Sequence, residues 1–434
     1  MATDSRGLEI SGASPEAAAA INDFSARLLR LDQGVEAILP AAELWPDVPL
    51  VRLYAAAFFL YGQTGDALRM AAVQLDAAQS LMDSASPRER ELYHALRLWE
   101  SNDNLRAVEA LEALTERWPA DLLAAKFAEF LYYVLGQQHM GARFRAHMDR
   151  IESTHANDAD FLGMSAFAAE LCGDFPDAER RSERSLAIEQ RNPWAQHALS
   201  HVLIRQGRVE EGMSRLETFL PQLATCGRPI HSHDAWHLAL LHLEELDIPR
   251  TMDVFRSHIW GITPDLVTEQ LDAIALLWRI ELSGTPMDAE WGPLADHVEA
   301  RASETFMPFM NAHYAYALAR GGRADALESA LAAVRLRSRA DDAEARRVWA
   351  PAGCAIVEAA ACFGRGDRAG AAEILEPAMP VMTTIGGSDA QDDLFRQTYL
   401  RSLQASGRRA DAGEYFKRIS GNKRLTPLDH ALAA

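Results

Sequence analysis

The sequence predicts an all-α fold, a right-handed helical solenoid of degenerate helix-turn-helix repeats. Three observations support this prediction. Apolar stretches with helical spacing recur along the 434 residues, separated by short turns that contain Gly or Asn and Asp. The second helix of each pair is rich in Ala and ends near a Pro. Sustained alternation of apolar and polar residues, which indicates a strand, is nearly absent.

The repeats are clearest between two glycine turns. Gly173 and Gly207 are 34 residues apart, which is the length of a tetratricopeptide repeat. Ala178, Ala187 and Pro193 fall where that repeat places small residues and its terminal proline. Elsewhere the intervals widen to about 37 to 44 residues, so the repeats are tetratricopeptide-like and degenerate. We predict turns at Leu60–Asp66, Leu135–Gly136, Leu171–Asp174, Arg205–Arg208, Ala319–Arg323, Phe363–Asp367 and Ala405–Arg408.

The repeats are expected to form one superhelix over residues 15–425. Residues 1–14 are predicted to be a mobile arm, because Ser14 followed by Pro15 is typical of a helix start. Residues 426–434 are predicted to fray as a tail. Ligands of such a superhelix are expected on its concave inner face, which the first helix of each pair lines.

Composition excludes several classes of function. The chain is 48% hydrophobic and 24% charged, which is enough apolar material for a folded core. A formal net charge of -19 disfavours binding to nucleic acid or to an anionic membrane surface. The four cysteines lack CxxC spacing and are expected to be reduced core thiols. The start of the chain does not resemble a signal peptide and no apolar run is long enough to span a bilayer, so we expect a cytoplasmic protein.

Histidines are concentrated in the central part of the chain, residues 190–320. His197 and His201 stand four residues apart, as do His233 and His237, so each pair occupies one face of its helix. We expect the two pairs to face each other across the groove. Glu244, seven residues beyond His237, returns to nearly the same direction and is expected to share that stripe.

Three kinds of chemistry are open to this cluster. A histidine oriented by Asp272, Asp234 or Glu244 can act as a general acid or base. A divalent metal is a less favoured alternative, because neither histidine pair has the Glu of an HExxH motif. Aromatic side chains such as Trp236 can form walls around a small organic ligand. We also expect His233 to lie in the first turn of its helix, where the helix dipole disfavours its charged form.

The same residues resemble a known family. The run from His233 to Glu244, with the preceding His197-Ala-Leu-Ser-His201, is similar to the tetratricopeptide repeat protein 38 family, whose members carry His-x-x-Trp-His on the corresponding helix. Asp272-Ala-Ile-Ala-Leu-Leu-Trp-Arg279 and Phe309-Met-Asn-Ala-His313 also match, so that the resemblance covers roughly residues 88–323. It implies a helical repeat fold and a histidine-rich inner face, and it implies no reaction.

These observations favour a small-molecule enzyme that uses acid-base chemistry, hydrolysis or elimination, on a polar organic substrate. The predicted catalytic residues are His233, His237 and Asp272. The predicted substrate-binding residues are His197, His201, Trp236, Glu244, Arg279 and His313. No cofactor is expected, and a homodimer is allowed. The alternative is a non-catalytic scaffold that binds a peptide or protein partner on its concave face.

Overall fold

The computed structural model describes residues 2–434, and it confirms the predicted fold class. The fold is all-α and is built of tetratricopeptide-like helix-turn-helix pairs. The chain divides into two compact units. The first contains residues 2–135, 140–199 and 223–227, and the second contains residues 136–139, 200–222 and 228–434. The prediction of a single superhelix over residues 15–425 stays a prediction.

The first unit begins with a short hairpin and continues through consecutive helices. Its strands are β1 (Ala2–Thr3) and β2 (Glu9–Ile10). Its helices are α1 (Pro15–Arg30), α2 (Ile38–Leu44), α3 (Pro49–Leu60), α4 (Gly65–Gln79), α5 (Pro87–Glu100), α6 (Asn104–Arg117), α7 (Leu122–Val134), α8 (Gln137–His155), α9 (Ala159–Leu171), α10 (Phe175–Ile188) and α11 (Pro193–Gln206), of which α8 and α11 cross a unit boundary. A 3-10 turn occupies Val35–Ala37.

The second unit continues the helix pairs. Its helices are α12 (Val209–Phe219), α13 (Arg228–Glu244), α14 (Ile248–Val254), α15 (Val267–Leu282), α16 (Asp288–Val298), α17 (Pro308–Arg320), α18 (Ala324–Ser338), α19 (Cys354–Gly364), α20 (Arg368–Leu375), α21 (Asp389–Ala405), α22 (Arg409–Ser420) and α23 (Pro427–Ala433). The connecting segments include 3-10 turns at Leu220–Thr225, Glu299–Arg301 and Met379–Thr384, and π-helical turns at Phe255–Ile259 and Ala345–Gly353.

Each predicted turn separates two helices of a pair, because the same local signals end one helix and begin the next. The Gly173 turn joins α9 to α10, and Gly173 has a φ of 75°, which the absence of a Cβ makes accessible. Asp174 then caps α10, since its side chain accepts a hydrogen bond from the Asp177 amide. Where such signals are present in the sequence, the helix boundaries follow from local chemistry.

Apolar helix faces form the core of each unit. In the first unit, Leu53, Leu111 and Phe127 belong to one continuous cluster of buried side chains. In the second unit, Trp278 stacks on Tyr316 with ring centroids 3.9 Å apart. The apolar residues at helical spacing, from which the fold is predicted, are the residues buried in these cores. The predicted and observed fold classes agree for this reason.

The two ends of the chain differ from the prediction. Residues predicted as a mobile arm form the antiparallel hairpin of β1 and β2, and Ile10 is buried. Arg88 donates a hydrogen bond to the Glu9 carbonyl at 3.0 Å, which ties the hairpin to α5. The predicted frayed tail forms α23, whose Leu428 is buried and whose Thr426 forms a capping box with Asp429. Long-range contacts fix both segments, and a local pattern does not reveal such contacts.

Two further features concern location and redox state. Across residues 2–434, no helix combines the length and the apolar character needed to cross a bilayer. The four cysteines form no disulfide, and Cys226 is the buried one among them. The expectation of core thiols is therefore wrong for Cys172, which is exposed, because it lies just beyond the end of α9.

Candidate functional site

Helix α13 places three predicted site residues on one face of the second unit. Trp236 and His237 stand three and four residues after His233, so the three side chains project to the same side. Another stripe of α13, which includes Leu238 and Leu241, is buried in a separate apolar cluster with neighbouring helices. Apolar packing of these leucines therefore helps to hold the helix, which is buried along most of its length.

His233 is held by Asp272 of α15. Its Nδ1 lies 2.9 Å from Asp272 Oδ1, and the His233 side chain is 18% exposed while that of Asp272 is 3% exposed. Burial alone would lower the pKa of His233, but the charge of Asp272 and the hydrogen bond to it outweigh burial and raise the pKa above its ordinary value. The contact with Asp272 therefore restricts the orientation of the His233 ring.

The predicted effect of the helix dipole on His233 is wrong. Helix α13 begins at Arg228, so that His233 lies in the second turn and not in the first. The dipole acts mainly within the first turn, and at His233 the contact with Asp272 decides the direction of the pKa shift.

His201 forms a second histidine-carboxylate pair. Its Nδ1 lies 3.0 Å from Oδ1 of Asp389, the first residue of α21, and both side chains are fully buried. Arg205, one turn further along α11, also donates a hydrogen bond to Asp389. Burial would raise the pKa of Asp389, but His201 and Arg205 lower it below the ordinary value. The carboxylate stays charged and fixes the orientation of the His201 ring.

The two pairs converge on His237. The His237 ring centroid lies 4.6 Å from that of His201 and 4.8 Å from that of His233, both in edge-on arrangements. One ring nitrogen of each histidine lies within 4.8 Å of one on each of the other two. His201 and His237 have no exposed surface. We refer to His201, His233 and His237 as the histidine cluster.

A further carboxyl group borders this cluster. Asp234 follows His233 on α13 and is fully buried, and neither of its carboxyl oxygens has a hydrogen-bond partner within residues 2–434. Burial raises the pKa of Asp234 well above its ordinary value, and the charge of Asp272 acts in the same direction. The surroundings of the cluster are therefore acidic, with three carboxyl groups close to the imidazoles.

Arg279 of α15 contacts Trp236 of α13. Its guanidinium sits 5.2 Å from the ring centroid of Trp236, which in turn stacks on His233 at 5.3 Å. The guanidinium donates to the Ala390 carbonyl at 2.6 Å, and burial lowers the pKa of Arg279 to about 10. Asp272 forms an ion pair with His233.

Three other predicted site residues have further contacts of their own. His313 is buried and its Nδ1 donates to the Phe309 carbonyl at 2.7 Å, while burial lowers its pKa to about 3. The Glu244 carboxylate is bound by Thr426 and Lys423 from the C-terminal segment and not by the histidines of α13. His197 belongs to the first unit, where its ring stacks on Trp194 with centroids 4.7 Å apart.

Sequence reasoning missed Asp389 and Arg205. Asp389 is 188 residues away from His201 along the chain, in a segment where no site residue is predicted. Ser388-Asp389-Ala-Gln391 forms a capping box, which indicates the start of a helix. Such a pattern does not predict a contact with a distant histidine. Arg205 lies one turn after His201, and that spacing could have identified it as a neighbour.

The fold and the site together define a helical-repeat protein with a buried histidine cluster. No protein-family model matches the chain. Among solved structures, the chain is similar to a monomeric mutant of IFIT1 with Gppp-AAAA, with 13% identity, a TM-score of 0.43, and coverage of 95% of this chain and 99% of that chain. It is also similar to a chain of Naa15/Naa10 bound to HypK-THB, with 13% identity, a TM-score of 0.25, and coverage of 94% and 64%. At these scores neither likeness bears on function.

Proposed function

We propose that this protein binds a small polar organic molecule at the histidine cluster and converts it by hydrolysis or elimination. The observation that supports this proposal is the His233-Asp272 pair, in which a partly exposed imidazole is held by a buried carboxylate. His233 and His237 are the acid-base or ligand-binding residues, and Asp272 is the positioning residue. His201, Trp236 and Arg279 are proposed to contribute to substrate binding.

Proton transfer and ligand binding need the same geometry from His233. A carboxylate that accepts a hydrogen bond from Nδ1–H selects one tautomer, and the lone pair is then carried by Nε2 in a fixed direction. Such a lone pair can accept a proton from a substrate or bind an electrophilic centre. Because His237 stands edge-on to His233 at 4.8 Å, the two rings can act on one small molecule.

The second candidate is the non-catalytic scaffold, and the burial of the cluster favours it. His201 and His237 have no exposed surface, as expected of histidines that serve only as internal hydrogen-bonding and packing groups. Helical repeats are commonly used to bind peptides along a helix-lined face. Under this proposal the partner is a peptide or protein, and the histidines stabilise the unit that presents the binding face.

One experiment separates the two candidates. The full-length protein is screened against a library of polar metabolites, with product formation as the readout, and each hit is repeated with His233→Ala and Asp272→Asn. The enzyme proposal expects turnover to fall by about 10²- to 10⁴-fold, with helicity and melting temperature nearly unchanged. His242→Ala is the matched control, since His242 is also buried on α13 but lies outside the cluster.

The outcome that contradicts the enzyme proposal is a large loss of melting temperature in both variants without any substrate for the parent protein. That result assigns the histidines to the scaffold. The family relationship stays a proposal as well: we infer from the matched motifs a relative of the tetratricopeptide repeat protein 38 family. We also propose a cytoplasmic location, which cell fractionation can test.

A further inference from the structure

We propose that the histidine cluster binds one divalent transition-metal ion through His201, His233 and His237. This inference rests on the proposed function only for the location of the site. The proposed function allows His233 and His237 to be either acid-base or ligand-binding residues, and this inference makes them ligands of a metal ion. Three features of the second unit support it: the convergence of three imidazoles, the carboxylates behind two of them, and the chemical type of the donor atoms.

The first feature is the approach of the three rings. One nitrogen of each ring lies within 4.8 Å of one nitrogen of each of the other two, and the rings come from two separate helices, α11 and α13. Zn-N bonds of about 2.0–2.1 Å on a tetrahedral ion place neighbouring nitrogens about 3.3 Å apart. Rotation of the imidazoles and small side-chain shifts are enough to close that difference. Metal binding is therefore expected to shorten the distances between nitrogens of rings that are already neighbours.

The second feature is the pair of carboxylates behind the rings. Histidines that bind metals in proteins nearly always donate the other ring N–H to a carboxylate, a carbonyl or a water, which fixes the tautomer and makes the ring a better donor. His233 and His201 both have this arrangement, through Asp272 at 2.9 Å and Asp389 at 3.0 Å. In both pairs the carboxylate contacts Nδ1, so the metal-binding nitrogen is Nε2.

The third feature is the donor set, which defines the class of ion. Three imidazole nitrogens suit Zn²⁺, Co²⁺, Ni²⁺, Cu²⁺ or Fe²⁺, whereas Mg²⁺ and Ca²⁺ prefer oxygen ligands. The neighbouring carboxylates Asp272 and Asp389 bring negative charge beside the rings, which favours a cation over a neutral ligand. Three protein ligands leave the fourth position of a tetrahedral ion for a further ligand.

Metal content and Co²⁺ binding of the full-length protein test the proposal. The protein is produced without an affinity tag, and bound metals are measured by elemental analysis before and after a chelator. We expect about one ion per chain, together with visible absorption of the tetrahedral or five-coordinate type when Co²⁺ is added to the chelated protein. Asp272→Asn should weaken Co²⁺ binding about 10- to 100-fold, and His237→Ala, which removes a ligand, should weaken it further.

His242→Ala is again the control variant and should bind Co²⁺ as the parent chain does. If the chelated parent protein keeps its helicity but gives no Co²⁺ absorption and retains no ion, the proposal is wrong, whatever the variants do. Parental affinity in a folded His237→Ala variant also overturns it, because the ion then binds elsewhere. Metal binding without turnover of any metabolite contradicts only the proposed function, and turnover by the metal-free protein contradicts only this inference.

Discussion

His147 shows how a histidine of this chain can serve stability. It is fully buried in the first unit, where Nε2 lies 2.8 Å from Thr115 Oγ1 and Nδ1 lies 3.0 Å from the Tyr132 hydroxyl. Burial, together with the charges of Arg150 and Arg143, lowers the pKa of His147 to about 4, and the charge of Glu112 only partly opposes them. The ring is neutral at neutral pH, and both of its nitrogens are used in hydrogen bonds.

The low pKa of His147 predicts a loss of stability in mild acid. Below the ordinary pKa of 6.5, the unfolded chain binds a proton that the folded chain does not bind until about pH 4. The stabilisation is therefore present above pH 6.5 and is lost as pH falls toward 4. Between pH 7 and pH 5 the loss amounts to about 2 kcal/mol. Denaturant unfolding of the parent and of His147→Gln at both pH values measures it.

The variant His147→Gln should lack this part of the pH dependence. Substitution of His94, which is exposed on α5, by Gln serves as the control and should leave the pH dependence of the parent unchanged. If the parent and His147→Gln lose the same free energy of unfolding between pH 7 and pH 5, the assignment of the loss to His147 is wrong.

At the residue scale, part of the candidate site follows from the sequence. Helical spacing places His233 and His237 on one face, and Asp272 was predicted as an orienting carboxylate. The role of Asp389 could not be predicted, because the contact to His201 depends on the packing of α21, far along the chain. Glu244 was assigned to the histidine stripe from helical spacing alone. Spacing does not show which residues of other helices contact the carboxylate, and Thr426 is one of them.

At the scale of secondary-structure elements, α23 is the informative case. Thr426 begins this helix with a capping box and also donates a hydrogen bond to the buried Glu244 carboxylate, and Lys423 binds the same carboxylate at 3.3 Å. Residues 426–434 are predicted from the sequence to fray, because the sequence gives no sign of a buried partner for Thr426. Helix signals can thus be read locally, whereas the anchoring of a terminal helix depends on residues almost two hundred positions earlier.

The contact with Glu244 predicts that the C-terminal segment contributes to stability. Thr426→Val removes both the cap and the hydrogen bond to Glu244, and it should lower the free energy of unfolding by about 1–3 kcal/mol. Thr218→Val is the matched control, because the Thr218 hydroxyl is exposed and donates only within its own helix. Equal melting temperatures for the parent and Thr426→Val would mean that the tail frays, as the local pattern alone suggests.

At the scale of the whole molecule, the two units exchange short pieces of chain. Residues 136–139 belong to the second unit although residues on both sides of them belong to the first. The Gln137 amide donates to the Gly387 carbonyl at 2.9 Å, and Arg396 donates to Gln138. Gly136 has a φ of 92°, and a Cβ at this position would clash with the Thr383 carbonyl oxygen.

This close approach predicts unequal effects at two similar glycine turns. Gly136→Ala and Gly173→Ala both place Ala at a positive φ, which costs about 1–2 kcal/mol in each case. Gly173 has no atom within 4 Å of an added Cβ, whereas at Gly136 the Thr383 backbone must move. Gly136→Ala should therefore destabilise the protein by at least about 1–3 kcal/mol more than Gly173→Ala. Urea unfolding of both variants compares them, and equal losses would contradict the contact with Thr383.

The exchange of segments has a consequence for synthesis on the ribosome. Gln138 is made 258 residues before Arg396, its partner in the second unit. At about 5–20 residues per second, the first turn of α8 emerges roughly 10–50 s before that partner exists. During this interval the first turn of α8 lacks its contacts with the second unit. The second unit is completed only when translation is nearly finished. A chain that terminates before α21 should therefore become a substrate for chaperones and proteases, even though every residue of the first unit has been made.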